Sequence, residues 1–380
     1  MLERHAMFTD RPTRPPISGH ADLPAQLEMM VRALLASRVR NRLFLLGGAI
    51  FLVIIATTYG QIRLNRWNEP FYNALARRDL HGFLTQLGVF AIIAGCLLAL
   101  NVLQRFLAET TKLKLREGLA QDLIGEWLKP GRAVRLVEAG LIGINPDQRM
   151  HEDARHLTEL SGDLGVALLQ STILLATFIE VLWAISGSFA LPLDGHVYVI
   201  PGYMVWAAVI YAGTGSLLSY WVGRNLVARN AQRYQRESEV RFSLMQANEH
   251  IAAIETQPDG LAKAKQRILG NLGNVLAAMW QLVLGVTNLT WVTAGYGWLT
   301  LVAPILVAAP AYFAGGLTFG GLMMAVGAFN QVQQSLRWFV DNFSTIADWR
   351  ATLLRVAEFR RALLVCDDLK RVMPKAGTDV

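Results

Sequence analysis

Glu180 stands in the middle of an otherwise apolar run, Val166–Phe189. An ionised carboxylate at that depth in a membrane costs roughly 3 kcal/mol or more, so it must be protonated, paired or turned to water. Two roles fit: a proton- or substrate-handling group in a transport path, or a structural hydrogen bond to a neighbouring helix. A second group lies on Phe319–Phe343, where Asn330, Gln333, Gln334, Arg337 and Asp341 recur at steps of three and four residues. That spacing makes one polar stripe on an apolar helix, with Arg337 and Asp341 an i, i+4 pair. Such a stripe cannot face lipid; it lines a watery cavity or a seam between helices or subunits. A third group is Trp67–Leu75, WNEPFYNAL. Its Trp67, Phe71 and Tyr72 suit an interfacial aromatic belt or a substrate contact. Glu69 is the only acid near Arg63 and Arg66 and serves to balance them.

Other chemistry is missing from the sequence. A phosphate-cradling GxxxxGK[ST] loop is absent; GGLTFGG at Gly315–Gly321 is followed by Leu322 and Met323, and reads as a turn between spans. Leu160–Gly162 starts like an ATPase signature, but Asp163 and Leu164 break it. There is no GxSxG, HExxH or CxxC. His151 and His156, five apart, do not share a helical face and read as solvated. Cys96 and Cys366 give no disulfide framework. No catalytic centre, metal site or resident cofactor is expected in this chain; any use of ATP would have to come through a partner ATPase.

These groups need elements to hold them. The 380 residues are 53% hydrophobic and 17% charged, against about 25% charged in soluble domains. A span needs about 20 apolar residues to cross about 30 Å of hydrocarbon. Six stretches qualify: Leu43–Tyr59, Phe83–Leu107, Val166–Phe189, Val197–Val222, Val275–Phe313 and Phe319–Phe343. With both ends cytoplasmic, 32 of the 36 Lys and Arg fall inside, and Arg63, Arg66, Arg77 and Arg78 occupy the outer loop 61–82. This bias sets the orientation and accounts for the +7 charge without nucleic acid. Val275–Phe313 is either one long helix or a hairpin; the hairpin puts the basic tail on the wrong side. Pro304 and Pro310 are expected to kink or end it. The predicted parts are a cytoplasmic lead with a short helix (1–42), a six-helix membrane domain (43–345) and a cytoplasmic tail (346–380).

Two cytoplasmic elbows interrupt the membrane domain, about 105–165 and 223–274. Both read as helical continuations of the spans, breaking at Lys129–Gly131, Gly143–Pro146 and Gln257–Gly260. Asn145 is the expected N-cap of a helix beginning at Pro146, with Asp147 in its first turn.

Three segments carry a family resemblance: LNRWNEPFYNALARRD (Leu64–Asp79), NPDQRMHED (Asn145–Asp153), and Gly320–Phe343 with WRATLLRVAEF (Trp349–Phe359). Over roughly residues 40–360 the chain resembles the SbmA/BacA family of bacterial peptide transporters. It also resembles the membrane half of YddA-like and peroxisomal fatty-acyl ABC transporters. The resemblance implies an all-α integral membrane fold of the ABC-exporter type, working as a domain-crossed homodimer in the bacterial inner membrane. It implies peptides or similar bulky amphiphiles as substrates, moved by alternating access. It also places Asn145, Asp147, Gln148 and Arg149, and Glu249 in the second elbow, where relatives touch an ATPase. ETQPDG at Glu255–Gly260 departs from that pattern. Energy then comes from a separate ATPase or from protons. A membrane scaffold, or a truncated product that transports nothing, is the other class.

Overall fold

Long apolar runs with few breakers build long helices here. The computed structural model describes residues 23–37, 39–138, 146–186, 188–193, 196–256 and 258–372. In chain order these form α1 (Leu23–Ala36), α2 (Arg40–Ala76), α3 (Leu80–Trp127), α4 (Arg132–Glu138) and α5 (Pro146–Gln148). A π turn, Arg149–Asp153, leads into α6 (Ala154–Ser186). Then come strands β1 (Ser188–Leu193) and β2 (His196–Pro201), α7 (Tyr203–Gly223), α8 (Leu226–Glu249) and α9 (Ile251–Thr256). The series ends with α10 (Gly260–Phe313), α11 (Phe319–Asp341) and α12 (Phe343–Val372). One hairpin aside, this is an all-α integral membrane protein. Among the described residues five helical stretches, α2, α3, α5–α6, α7–α8 and α10, are long and apolar enough to cross a membrane. In α3 none of the most apolar stretch is buried, and Leu84, Ile92, Leu98 and Val102 lie bare. Helix α11 is long enough at 23 residues, but the amides of its second half leave it less apolar than the other five.

Several expectations change. Residues 61–82 are not a loop: α2 continues to Ala76 with Pro70 inside it. Pro70 is exposed, so water can satisfy the carbonyl that its missing N–H releases. Only Arg77–Asp79 turn, with Arg78 left-handed at φ 57° and Asp79 Oδ1 accepting from the Gly82 N–H at 2.9 Å to cap α3. The 275–313 block is no hairpin but part of one 54-residue helix. Pro304 is buried within it, and the helix ends three residues after Pro310. Residues 197–201, expected to open a span, are strand. β1 and β2 pair antiparallel, with Ser188 opposite Pro201 and Leu193 opposite His196. Asp194–Gly195 between strand-forming residues was the available signal. α7 starts only after Gly202, at φ 63°, where a Cβ would run into the Trp183 ring. The expected break at Lys129–Gly131 is a gap between α3 and α4, and at the second break Pro258 and Asp259 turn before α10 begins at Gly260. The lead 1–22, the Gly143–Asn145 break and residues 373–380 lie outside the described residues.

Two compact units result. One gathers Met1–Phe51, Gln104–Val166 and Ser344–Val380. Its core joins Leu119 and Leu123 of α3, Leu157 of α6, and Val356, Phe359 and Leu363 of α12. The other holds Leu52–Leu103 and Ala167–Phe343. There α11 is the central helix: its Leu322, Ala325, Phe329 and Val332 pack with Phe178 and Leu182 of α6, Met204 and Ala208 of α7, and Ala308 of α10. In this greasy setting close packing, more than water exclusion, holds the helices together.

Candidate functional site

The second unit carries most of the predicted site residues. On α11 the apolar residues at 322, 325, 329 and 332 claim the core face, and the polar stripe falls on the other side. The stripe does not stay whole. Gln333 sits at the edge of the core face and is buried, at 5% exposure. Asn330 and Arg337 are half-buried; Gln334 and Asp341 are exposed. Arg337 donates to Asp341 Oδ1 at 3.2 Å, so this i, i+4 pair forms. Asn330 Oδ1 and Trp338 Nε1 are buried without a hydrogen-bond partner among the described residues. Glu180 lies on α6, exposed on the outside of this unit, although its neighbours Phe178 and Leu182 are in the core. A single chain therefore leaves a carboxylate and part of a polar helix face uncovered at membrane depth.

The WNEPFYNAL run is helical, and it is more a clamp than a belt. Trp67 Nε1 donates to the Gln86 carbonyl at 2.8 Å, tying α2 to α3. The Trp67 ring stacks on Phe71 at 4.4 Å between centroids and lies 5.0 Å from Phe90. Phe71 meets Phe83 at 5.2 Å, and Tyr72 meets Phe319 edge-on at 5.9 Å. Asn73, not singled out from the sequence, is the key polar residue. Its Nδ2 donates to Thr318 Oγ1 at 3.1 Å and its Oδ1 accepts the Gly320 N–H at 2.9 Å. Thr318 caps the same helix by accepting the Gly321 N–H at 3.0 Å. The free amides opening α11 are thus met by α2 and by its own cap. Gly320 permits the approach: a Cβ there would collide with the Glu69 carbonyl. One crossing further on, Gly327 lies against the buried Asn65, whose Nδ2 has no partner among the described residues. Glu69 does not balance Arg63 or Arg66; among the described residues none of the three has an ion pair. Glu69 and Arg66 instead line a cleft of about 520 Å³.

Comparison with known proteins places this architecture. Residues 40–364 match the model of the SbmA/BacA-like family. The chain belongs to that family. It is also 27% identical, over 82% of its length, to the chloroplastic ABC transporter D family member 2 of Arabidopsis thaliana, covering 42% of that protein. To the inner membrane ABC transporter ATP-binding protein YddA of Escherichia coli it is 25% identical over 82% of its length, covering 56% of that relative. An uncharacterized ABC transporter ATP-binding protein of Synechocystis is 26% identical over 76% of this chain, with 42% of its own length covered. The chain spans about half the length of these curated relatives. It is a membrane protein of a transporter family.

Two of the segments that carry the resemblance meet in the first unit. Asp153, the last residue of the π turn and buried, accepts from Arg149 at 2.6 Å and from Arg355 of α12 at 3.1 Å. His156 is not merely solvated, since its Nε2 lies 2.7 Å from Asp348 Oδ2. Trp349 Nε1 donates to Ser161 Oγ at 2.9 Å. Asp153, at the end of the NPDQRMHED segment, together with His156 and Ser161 thus fastens this stretch to α12, while Asp147 and Gln148 remain exposed. His151 is exposed; Asn145 lies outside the described residues. In the second unit Glu249 is the last residue of α8 and is exposed, with only His250 between it and α9.

Proposed function

We propose that the chain is the membrane part of a transporter that moves peptides or similarly bulky amphiphiles by alternating access, working as a homodimer in a bacterial inner membrane. One observation carries the reading: Glu180 on α6 and Gln334 and Asp341 on the polar side of α11 stay exposed in a single chain, with Asn330 and Arg337 only half-buried beside them. Charges facing lipid are costly, so such a face calls for a watery path shared with a second copy. Helix α11 serves as the sixth span in this reading, with both termini cytoplasmic and the exposed residues Asp147, Gln148 and Glu249 on the two elbows.

Two energy sources fit. YddA and the Synechocystis relative are named ATP-binding transporter proteins, which favours an ATPase docking on the elbows. A carboxylate within α6 favours proton coupling through Glu180. Uptake of a labelled cationic peptide into proteoliposomes holding the full chain separates them. Proton coupling gives uptake that needs a pH gradient, survives without ATP and falls in Glu180→Gln. An ATPase-dependent permease is silent until the partner is added. Unchanged uptake in Arg337→Ala contradicts the path assignment.

A further inference from the structure

The cleft of about 520 Å³ lies wholly within the second unit. Its apolar wall comes from the last turns of α6 (Val181, Ile185) and from Leu317 and Met324 beside the start of α11. It therefore sits where α6, one of the candidate membrane spans, ends and α11 begins. The end of a membrane-spanning helix meets the headgroup region. The polar end of the cleft carries Arg66 and Glu69 from α2. These stand three residues apart, yet they do not pair with each other, and neither has an ion pair or hydrogen bond among the described residues. One free cation and one free anion beside an apolar wall is the complement of a zwitterionic amphiphile.

We propose that this cleft holds the headgroup of a phosphatidylethanolamine-type phospholipid. The Arg66 guanidinium takes the phosphodiester, and the Glu69 carboxylate takes the ammonium. The first acyl carbons lie along Val181 and Ile185. Side chains three apart on a helix are about 5–6 Å apart at their β-carbons, which suits an anion and a cation two carbons apart in one headgroup. A choline headgroup cannot donate a hydrogen bond to Glu69. A glycerol headgroup carries no cation and leaves Glu69 facing a phosphate. This inference rests on the membrane-spanning architecture alone, so a failed transport assay does not touch it.

The test is native mass spectrometry of the purified full chain from micelles containing equal amounts of phosphatidylethanolamine, phosphatidylcholine and phosphatidylglycerol. The wild type should retain the ethanolamine lipid over both others by about fivefold, the scale of one partly exposed charge pair. Glu69→Gln should erase the preference over choline. Arg66→Gln should lower retention of all three. Neither side chain supports the fold, so both variants should elute like wild type. Equal retention of the three lipids by the wild type overturns the proposal. So does an undiminished ethanolamine preference in Glu69→Gln.

Discussion

Asn73→Ala removes both hydrogen bonds between α2 and the start of α11, at 3.1 and 2.9 Å. Each is worth about 0.5–1.5 kcal/mol net. Thr318 keeps its cap on Gly321, but the Gly320 N–H loses its partner. The expected loss is about 1–3 kcal/mol, toward the lower end because the Thr318 side is open to water. Asn73→Asp makes a sharper comparison. Its carboxylate still accepts from Gly320, now with charge assistance at a helix N-terminus. The Thr318 hydroxyl can rotate to donate to it. That variant should stay within about 0.5 kcal/mol of wild type. Thermal unfolding of the purified full chain in detergent, followed by circular dichroism, should rank Asn73→Asp with wild type and Asn73→Ala clearly below. An Ala variant as stable as wild type, or an Asp variant as weak as Ala, refutes the clamp.

Other consequences can be measured alongside. Gly320→Ala pushes a methyl into the Glu69 carbonyl; it should cost about 1–3 kcal/mol, and backbone contact leaves no flexible group to yield. Phe329→Ala empties the centre of the α11 core, where Phe329 is 2% exposed, and should cost about 3–5 kcal/mol. Both are read from the same melts. Asp153→Ala frees α12 from Arg149 and the π turn; limited proteolysis should cut near α12 faster than in wild type, while melting of the second unit stays unchanged. Trp67→Phe keeps the stack on Phe71 and loses one hydrogen bond, so it should cost about 1 kcal/mol in the same assay.

The long helices and two of the elbow breaks were legible because hydropathy and Gly/Pro punctuation are local properties. Other features were not local. Pro70 and the polar residues of 61–76 look like a loop, yet the helix persists because α3 and α11 pack against it. Val197–Ile200 share the apolar character of a span, and only Asp194–Gly195 marks a hairpin. Asn73 acts on residues 245 positions away, a relation no short window contains. The stripe on α11 was visible from its spacing. That Gln333 falls to the core side depended on where the neighbours of Phe329 and Val332 lie.

The central claim is that a watery transport path runs past Glu180 and the polar face of α11. The most direct measurement is labelled-peptide uptake by the full chain in proteoliposomes, with a pH gradient and with an ATPase partner in separate arms, for wild type, Glu180→Gln and Arg337→Ala. The account predicts uptake in at least one arm and a clear drop in Arg337→Ala in that arm. Correctly inserted protein that moves no peptide in either arm, or moves it equally well without the Arg337 charge, contradicts it.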